Sequence, residues 1–298
     1  MASTIACFTT DNVSPEDQSV IETPQGETKS TVDNSLRKAE SHELPIDRTL
    51  VSDFKQMKLE KEAQKNWDLF YKRNTTRFFK DRHWTTREFD ELKACRQFES
   101  QRLVLLEAGC GVGNCIFPLL EEDRNIFIYA CDFSPRAVDF VKQHTLYCPE
   151  RCKAFQCDLT QDDLQDNVPQ ASVDVVTLIF VLSAIHPDKM AQSLQNIFRV
   201  LKPGGSVLFR DYGVNDHAMQ RFKAANRLGH NFYVRQDGTR SYFFSKELLA
   251  ELFEGRGFHS LANDYVFRET VNKKEGLCVP RVFLQSKFTK PHQSQTSP

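Results

Sequence analysis

Short apolar runs separated by turn residues recur through the chain and alternate with segments of helical period. Residues 103–106, 126–131, 153–157, 172–180 and 206–210 are too short for helices and read as buried strands. Between them, the pattern predicts helices over 114–121, 134–143 and 188–201. Ser134-Pro135 gives the second of these an N-cap with proline at the first helical position. Lys202-Pro203-Gly204-Gly205 reads as a sharp turn before the fifth strand. Strand and helix in repeated alternation predict a mostly parallel sheet with right-handed crossovers and helices on both faces.

Outside that alternation the pattern loosens. Residues 50–73 predict one helix, capped by Ser52 or Asp53, with Phe54, Met57, Ala63, Trp67, Phe70 and Tyr71 near one face. Thr85 with Glu88 predicts a capping box for a short following helix. Residues 213–244 read as an insertion after the fifth strand, with a helix over 216–228. A helix capped by Ser245 follows to about residue 254. Residues 265–269 and 281–287 alternate enough to pair antiparallel, which makes a seven-stranded sheet. Residues 1–45 carry few clustered hydrophobics and predict a disordered leader, with a helical region over 46–100. The main domain then spans 101–289, and a loose tail 290–298.

The glycines between the first strand and its helix carry the first chemical signal. Gly109, Gly111 and Gly113 follow Glu107 directly, where positive φ and close ligand approach favour glycine. Asp132 ends the second strand, where a carboxylate accepts hydrogen bonds from a ribose diol. The dinucleotide fingerprint has the spacing G-x-G-x-x-G, whereas this chain has G-x-G-x-G with an acid two residues before it. Glu107 would repel a diphosphate and attract an amino-acid ammonium. That favours S-adenosylmethionine over a nicotinamide dinucleotide. Asp158 and Leu159, after the third strand, are placed for the adenine amino group and ring, and Ile179 for the ring's other side. Glu107, Asp132, Asp158, Ile179 and Asp211 all fall at the carboxyl ends of strands, where such sheets bind ligands.

Two segments mix cations with flat rings. In residues 77–84, Arg77, Lys80, Arg82 and His83 interleave with Phe78, Phe79 and Trp84; residues 233–244 hold Arg235 and Arg240 among aromatics. Single-stranded RNA contact requires that mixture, and so would a buried aromatic loop with solvated charges. With Arg210, these arginines and Lys80 are the candidate RNA contacts. Trp67 and Tyr71 stand one turn apart, and spacing alone leaves a cofactor lid and a core anchor equally open. Net charge is −1, so any nucleic-acid surface must be local. No apolar run reaches membrane-spanning length. The nine cysteines lack paired C-x-x-C spacing, which suits reduced core thiols of an intracellular protein better than a metal site.

The acceptor class follows from what is missing. The segment after the fourth strand reads Ile179-Phe180-Val181-Leu182, without the acid or amide followed by Pro-Pro-aromatic used on exocyclic amines. It also lacks a nucleophilic cysteine beside proline, which carbon-5 methylation needs. A ring nitrogen is a neutral lone-pair nucleophile that needs alignment more than a base. Asp211 then serves as the catalytic candidate, an orienter and electrostatic stabiliser.

The stretches LLEAGCGVGN, ACDFSPRA, QCDLT, LIFVLSAIHPDKM, LKPGG, FRDYG and VRQDGTRSYFF resemble the eukaryotic tRNA 3-methylcytidine methyltransferases. NWDLFYKRN and FFKDRHW resemble the same family's N-terminal part. The resemblance covers about residues 50–288 and is nearest the branch acting on serine tRNAs. It implies a class I (Rossmann-like) S-adenosylmethionine-dependent fold and methylation of cytidine N3 in the anticodon loop. By matching position it implies Trp67, Tyr71, Gly109, Asp132, Asp158, Leu159 and Ile179 as cofactor residues, with Glu107 and Gly111 added by the motif reading. It also implies tRNA as partner, cooperation with seryl-tRNA synthetase, no metal, and a cytoplasmic or also nuclear setting. Two other readings stay open: a small-molecule or protein methyltransferase on the same fold, and a non-catalytic RNA-binding scaffold. An exposed basic rim formed jointly by residues 77–84 and 233–244 would favour RNA over the former.

Overall fold

The computed structural model describes residues 50–94, 102–272 and 277–292, so the leader and most of the tail lie outside it. Its centre is the strand β1 (Leu103–Ala108), which pairs in parallel with β2 (Ile126–Asp132) on one side and β4 (Val173–Ile179) on the other. β3 (Cys152–Gln156) extends the sheet beyond β2, and β5 (Leu201–Tyr212) extends it beyond β4. The order is β3-β2-β1-β4-β5-β10-β9, with β9 (His259–Asn272) and β10 (Leu277–Thr289) antiparallel at the far edge. Strand order therefore reverses at β1 and β4, which opens a crevice above their carboxyl ends.

Apolar layers cover both faces, as a parallel sheet requires. On one face Met190, Leu194 and Ile197 of α7 (Pro187–Val200) join Leu249 and Phe253 of α9 (Lys246–Glu254). On the other, Phe117 and Leu120 of α5 (Ile116–Glu122) join Val138 and Val141 of α6 (Pro135–Gln143). The Ser134 hydroxyl accepts from the Ala137 amide at 3.3 Å, and Pro135 opens the helix, so local sequence places α6.

Several boundaries depart from the pattern. The single N-terminal helix breaks at Glu62 into α1 (Asp53–Lys61) and α2 (Ala63–Asn74). α1 lies on the surface and leaves Phe54 75% and Met57 65% exposed, so these apolar positions do not mark a core face. α3 (Thr85–Glu88) has no side-chain cap: the Thr85 hydroxyl donates to the Arg82 carbonyl, and Glu88 pairs with Arg268. α4 (Asp90–Ala94) follows it.

The Lys202–Gly205 turn lies within β5, where Leu201 pairs with Val173 but Ser206 pairs with Val175. Gly204 holds positive φ there, and its amide donates to the Lys290 carbonyl at 2.7 Å. Lys290 is thus fastened rather than loose. The helix expected over 216–228 is one turn, α8 (His217–Gln220), followed by a separate three-stranded sheet. That sheet, β6 (Arg227–Gly229), β7 (Phe232–Val234) and β8 (Arg240–Tyr242), stands over the crevice.

Candidate active site

β1 leaves the sheet at Ala108 and enters the glycine turn. Gly109 has φ +71°, and its amide and that of Cys110 both donate to the Cys131 carbonyl at 2.8 Å. A Cβ at Gly109 would lie 2.5 Å from Val181 Cγ2, so a side chain would push apart the loops after β1 and β4. Gly111, at φ +53°, passes 3.1 Å beneath the Tyr71 hydroxyl by the same measure. α5 begins two residues later than expected, because Asn114 is used elsewhere. Its side-chain amide donates to the Phe79 carbonyl and to Asp81, tying down the 77–84 segment.

Asp132 follows from the end of β2. Its Oδ2 accepts from the Gly111 amide and its Oδ1 from the Ser134 amide, both at 2.9 Å. Burial pushes its carboxyl up to about 6, although both amides favour the charged form. The carboxylate lines a cavity of about 380 Å³ with Trp67, Tyr71, Gly109, Asp158 and Leu159, a volume suited to a small ligand. Asp158 is presented by a local turn: Oδ1 accepts from the Thr160 amide and hydroxyl, and Oδ2 from Gln161.

Three expected cofactor residues are not in that wall. Glu107 is 1% exposed and accepts from the Thr177 hydroxyl, with burial pushing its carboxyl up. It sits beneath the glycine turn, because alternation along β1 turns its side chain away from the crevice. Gly111 contributes its amide to Asp132 instead of a surface to the cavity. Ile179 is 1% exposed, and its neighbours Phe180 and Val181 line the cavity instead.

The lid is α2, with contributions from the end of α1. Trp67 and Tyr71 line the cavity together, their ring centroids 6.0 Å apart. Asp68 fixes the lid to the Asp132 loop, accepting from the Ser134 hydroxyl at 3.0 Å and the Arg136 amide at 3.2 Å. Asn66 donates to the Gly238 carbonyl at 3.2 Å, joining the lid to the insertion. Glu60 completes it by pairing with Lys189 at 2.5 Å and with Arg240. Burial raises the Glu60 carboxyl, but these two cations outweigh it and hold the group below the usual carboxylate range.

On the acceptor side the cations do not form one exposed rim. Arg77 and Lys80 are exposed. Arg82 turns inward, donating to the Ile179 carbonyl at 3.2 Å with its guanidinium 5.4 Å from the Phe180 ring centre. Arg210 is 5% exposed, 4.5 Å from the Trp84 ring and bonded to Gln285. Arg235 donates to the Arg240 carbonyl and the Ser241 hydroxyl. Arg240 is 6% exposed and belongs to the lid. Arg82, Arg210 and Arg240 are therefore structural cations, held by partners the sequence does not reveal.

Asp211 is fully buried, and its carboxylate accepts from the Ser183 and Tyr212 amides at 2.9 Å each. Burial pushes it up to about 6. It is not among the residues that line the cavity, and its bond from the Ser183 amide holds the loop after β4. Glu60, Asp68, Phe180 and Val181 were not singled out by motif. Glu60 and Asp68 act through partners far along the chain, and the role of Phe180 depends on a backbone angle with no residue signature.

The fold and the pocket define an S-adenosylmethionine-dependent methyltransferase domain. Residues 106–207 match the family model described as "Methyltransferase domain". Among solved structures, the same fold is present in the 1,6-didemethyltoxoflavin-N1-methyltransferase of Burkholderia thailandensis, with bound S-adenosylhomocysteine. That likeness has a TM-score of 0.54 at 17% identity, covering 83% of this chain and 94% of that one. The chain is 74% identical over 256 residues to the tRNA N(3)-cytidine methyltransferase METTL6 of Homo sapiens, covering 86% of this chain and 90% of the relative. It is 46% identical over 243 residues to the tRNA N(3)-methylcytidine methyltransferase trm141 of Schizosaccharomyces pombe, covering 80% and 97%. The chain belongs to the tRNA N(3)-cytidine methyltransferase family.

Proposed function

We propose that this protein methylates ring nitrogen 3 of cytidine in the anticodon loop of transfer RNA, with serine tRNAs as its main substrates. The observation that carries this reading is the 74% identity over 256 residues, 86% of the chain, to a tRNA N(3)-cytidine methyltransferase. The cavity fits S-adenosylmethionine by its own chemistry. Asp132 is a buried acceptor for a ribose diol, Asp158 is an acceptor beside the apolar Leu159 and Val181, and Trp67 and Tyr71 close the mouth. When bound there, S-adenosylmethionine would supply an electrophilic sulfonium methyl to the neutral lone pair of the cytidine ring nitrogen.

The chain's own residues contribute alignment and water exclusion, which an in-line displacement by a neutral lone pair mainly needs. The Asp68 and Glu60 contacts hold the lid helices in place over the cavity. Asp211 and Arg82 fix the loop after β4 that faces the acceptor. Cooperation with seryl-tRNA synthetase is part of the reading. A net charge of −1, with only Arg77 and Lys80 of the six candidate cations fully exposed, supports a partner that supplies part of the RNA surface. Purified serine and threonine tRNAs, each incubated with the enzyme and cofactor with and without the synthetase, test the proposal. It predicts 3-methylcytidine in serine tRNAs, increased by the synthetase. Equal modification of both tRNAs, indifferent to the synthetase, overturns the serine assignment.

A further inference from the structure

Phe180 carries a feature that the cofactor pocket does not require. It stands directly after β4 with φ +58°, the sole aromatic residue at positive φ among the described residues. A bulky side chain in that region is strained, and such strain persists only where the surroundings over-determine it, typically at functional sites. The surroundings do so here. The Phe180 amide donates to the Arg210 carbonyl at 2.8 Å. The preceding carbonyl, of Ile179, is held by Arg82 at 3.2 Å, and the following turn by Asp211 through the Ser183 amide at 2.9 Å.

The ring is half-buried and lines the cavity. Behind it, the Tyr212 and Phe283 rings stand 5.2 Å and 5.5 Å away and prevent it from turning back into the core. An aromatic ring fixed in the wall of a methyl-donor pocket suits a nucleobase that has left its stack. We infer that Phe180 is the surface on which the acceptor cytosine stacks, with Arg82 and Asp211 as positioning residues that hold its backbone in the left-handed region. The inference rests on the tRNA-cytidine reading above and gives that reading a specificity residue.

The test compares Phe180→Tyr, Phe180→Leu and Phe180→Gly in methyl transfer to total tRNA supplemented with seryl-tRNA synthetase. Calorimetry with S-adenosylhomocysteine and thermal melting accompany each variant. Phe180→Leu is expected to lower kcat/KM for tRNA by about 5- to 150-fold, the range for loss of one base–aromatic stack, and to lower cofactor affinity by much less than that. Phe180→Tyr restores most of the rate. Glycine accepts this φ without strain, so Phe180→Gly decides the matter if the leucine variant does not fold. It should melt normally and lose the same rate. Variants that keep the wild-type rate, or lose cofactor affinity in proportion to rate, overturn the inference. A wild-type protein that melts normally and binds the cofactor but leaves tRNA cytidine unmethylated overturns the activity, and the inference with it.

Discussion

Asp68 Oδ1 receives the Ser134 hydroxyl at 3.0 Å, a contact that helps fasten the lid helix to the loop that presents Asp132. The same carboxylate accepts from the Arg136 amide and faces the Arg136 guanidinium at 3.3 Å. Removing it in Asp68→Ala leaves the cavity lining unchanged but frees one end of α2. Each net hydrogen bond is worth about 0.5–1.5 kcal/mol, so a loss of about 5- to 20-fold in affinity for S-adenosylhomocysteine is expected by calorimetry. Wild-type affinity would mean that Gln64 on the Phe133 carbonyl and Asn66 on the Gly238 carbonyl hold the lid without Asp68.

Asp132 gives the pocket a pH dependence with a definite sign. Its carboxyl is pushed up to about 6 by burial, and only the ionised form accepts two ribose hydroxyls. Cofactor affinity therefore rises as pH increases through about 6, and Asp132→Asn should flatten that rise while binding weakly throughout. A flat profile in the wild type would remove Asp132 from the ribose contact.

The stability profile has the opposite sign. Asp132 and Asp211 are both raised from 3.8 to about 6 in the folded protein. Folding takes up protons on them between those values, so their contribution falls as pH rises across that window, by up to about 1.4 kcal/mol per unit for each group. Glu60 and Glu88, held low by their cations, act in the other direction and lose their contribution as pH falls. The informative quantity is a difference: wild type minus Asp132→Asn in denaturant midpoint should increase as pH falls from about 6 to 4. A constant difference across that range would place the titration elsewhere.

The candidate RNA cations divide into two groups that mutation can separate. Arg77→Gln with Lys80→Gln should leave the melting temperature unchanged, raise KM for tRNA, and flatten log affinity against log salt by about one unit per lost phosphate contact. Arg210→Gln should do the reverse, because its guanidinium is buried against Trp84 and Phe283. Its loss is expected to destabilise the protein by about 3 kcal/mol, read by chemical denaturation. If Arg210→Gln melts normally and loses tRNA affinity, the residue reaches RNA after all.

These contrasts show how far the sequence could be read. Parallel strands bounded by glycine or proline were legible because their apolar runs are buried on both faces, and α6 because Ser134 and Pro135 fix it locally. That Asp132 and Asp158 line the cavity was legible because strand ends are where the sheet's crevice lies. Glu107 was misplaced because a strand alternates, and the motif does not say which face the acid takes. The break at Glu62 and the small sheet β6–β8 depend on contacts between distant segments, such as Val51 with Arg227 and Glu60 with Arg240. Helical period in 216–228 yields only one turn: Asp216 caps α8 through the Ala218 amide while it also pairs with Arg281 at 2.9 Å, and the helix ends at Gln220.

The most direct measurement is of the modified nucleoside itself. Total tRNA from cells lacking this methyltransferase is incubated with the protein, seryl-tRNA synthetase and methyl-labelled S-adenosylmethionine, then digested and resolved by liquid chromatography and mass spectrometry. The account predicts label in 3-methylcytidine, absent without enzyme and lost in Asp132→Ala at limiting cofactor. Label in 5-methylcytidine or in an exocyclic methylamine, or label that enters protein and not RNA, would contradict it.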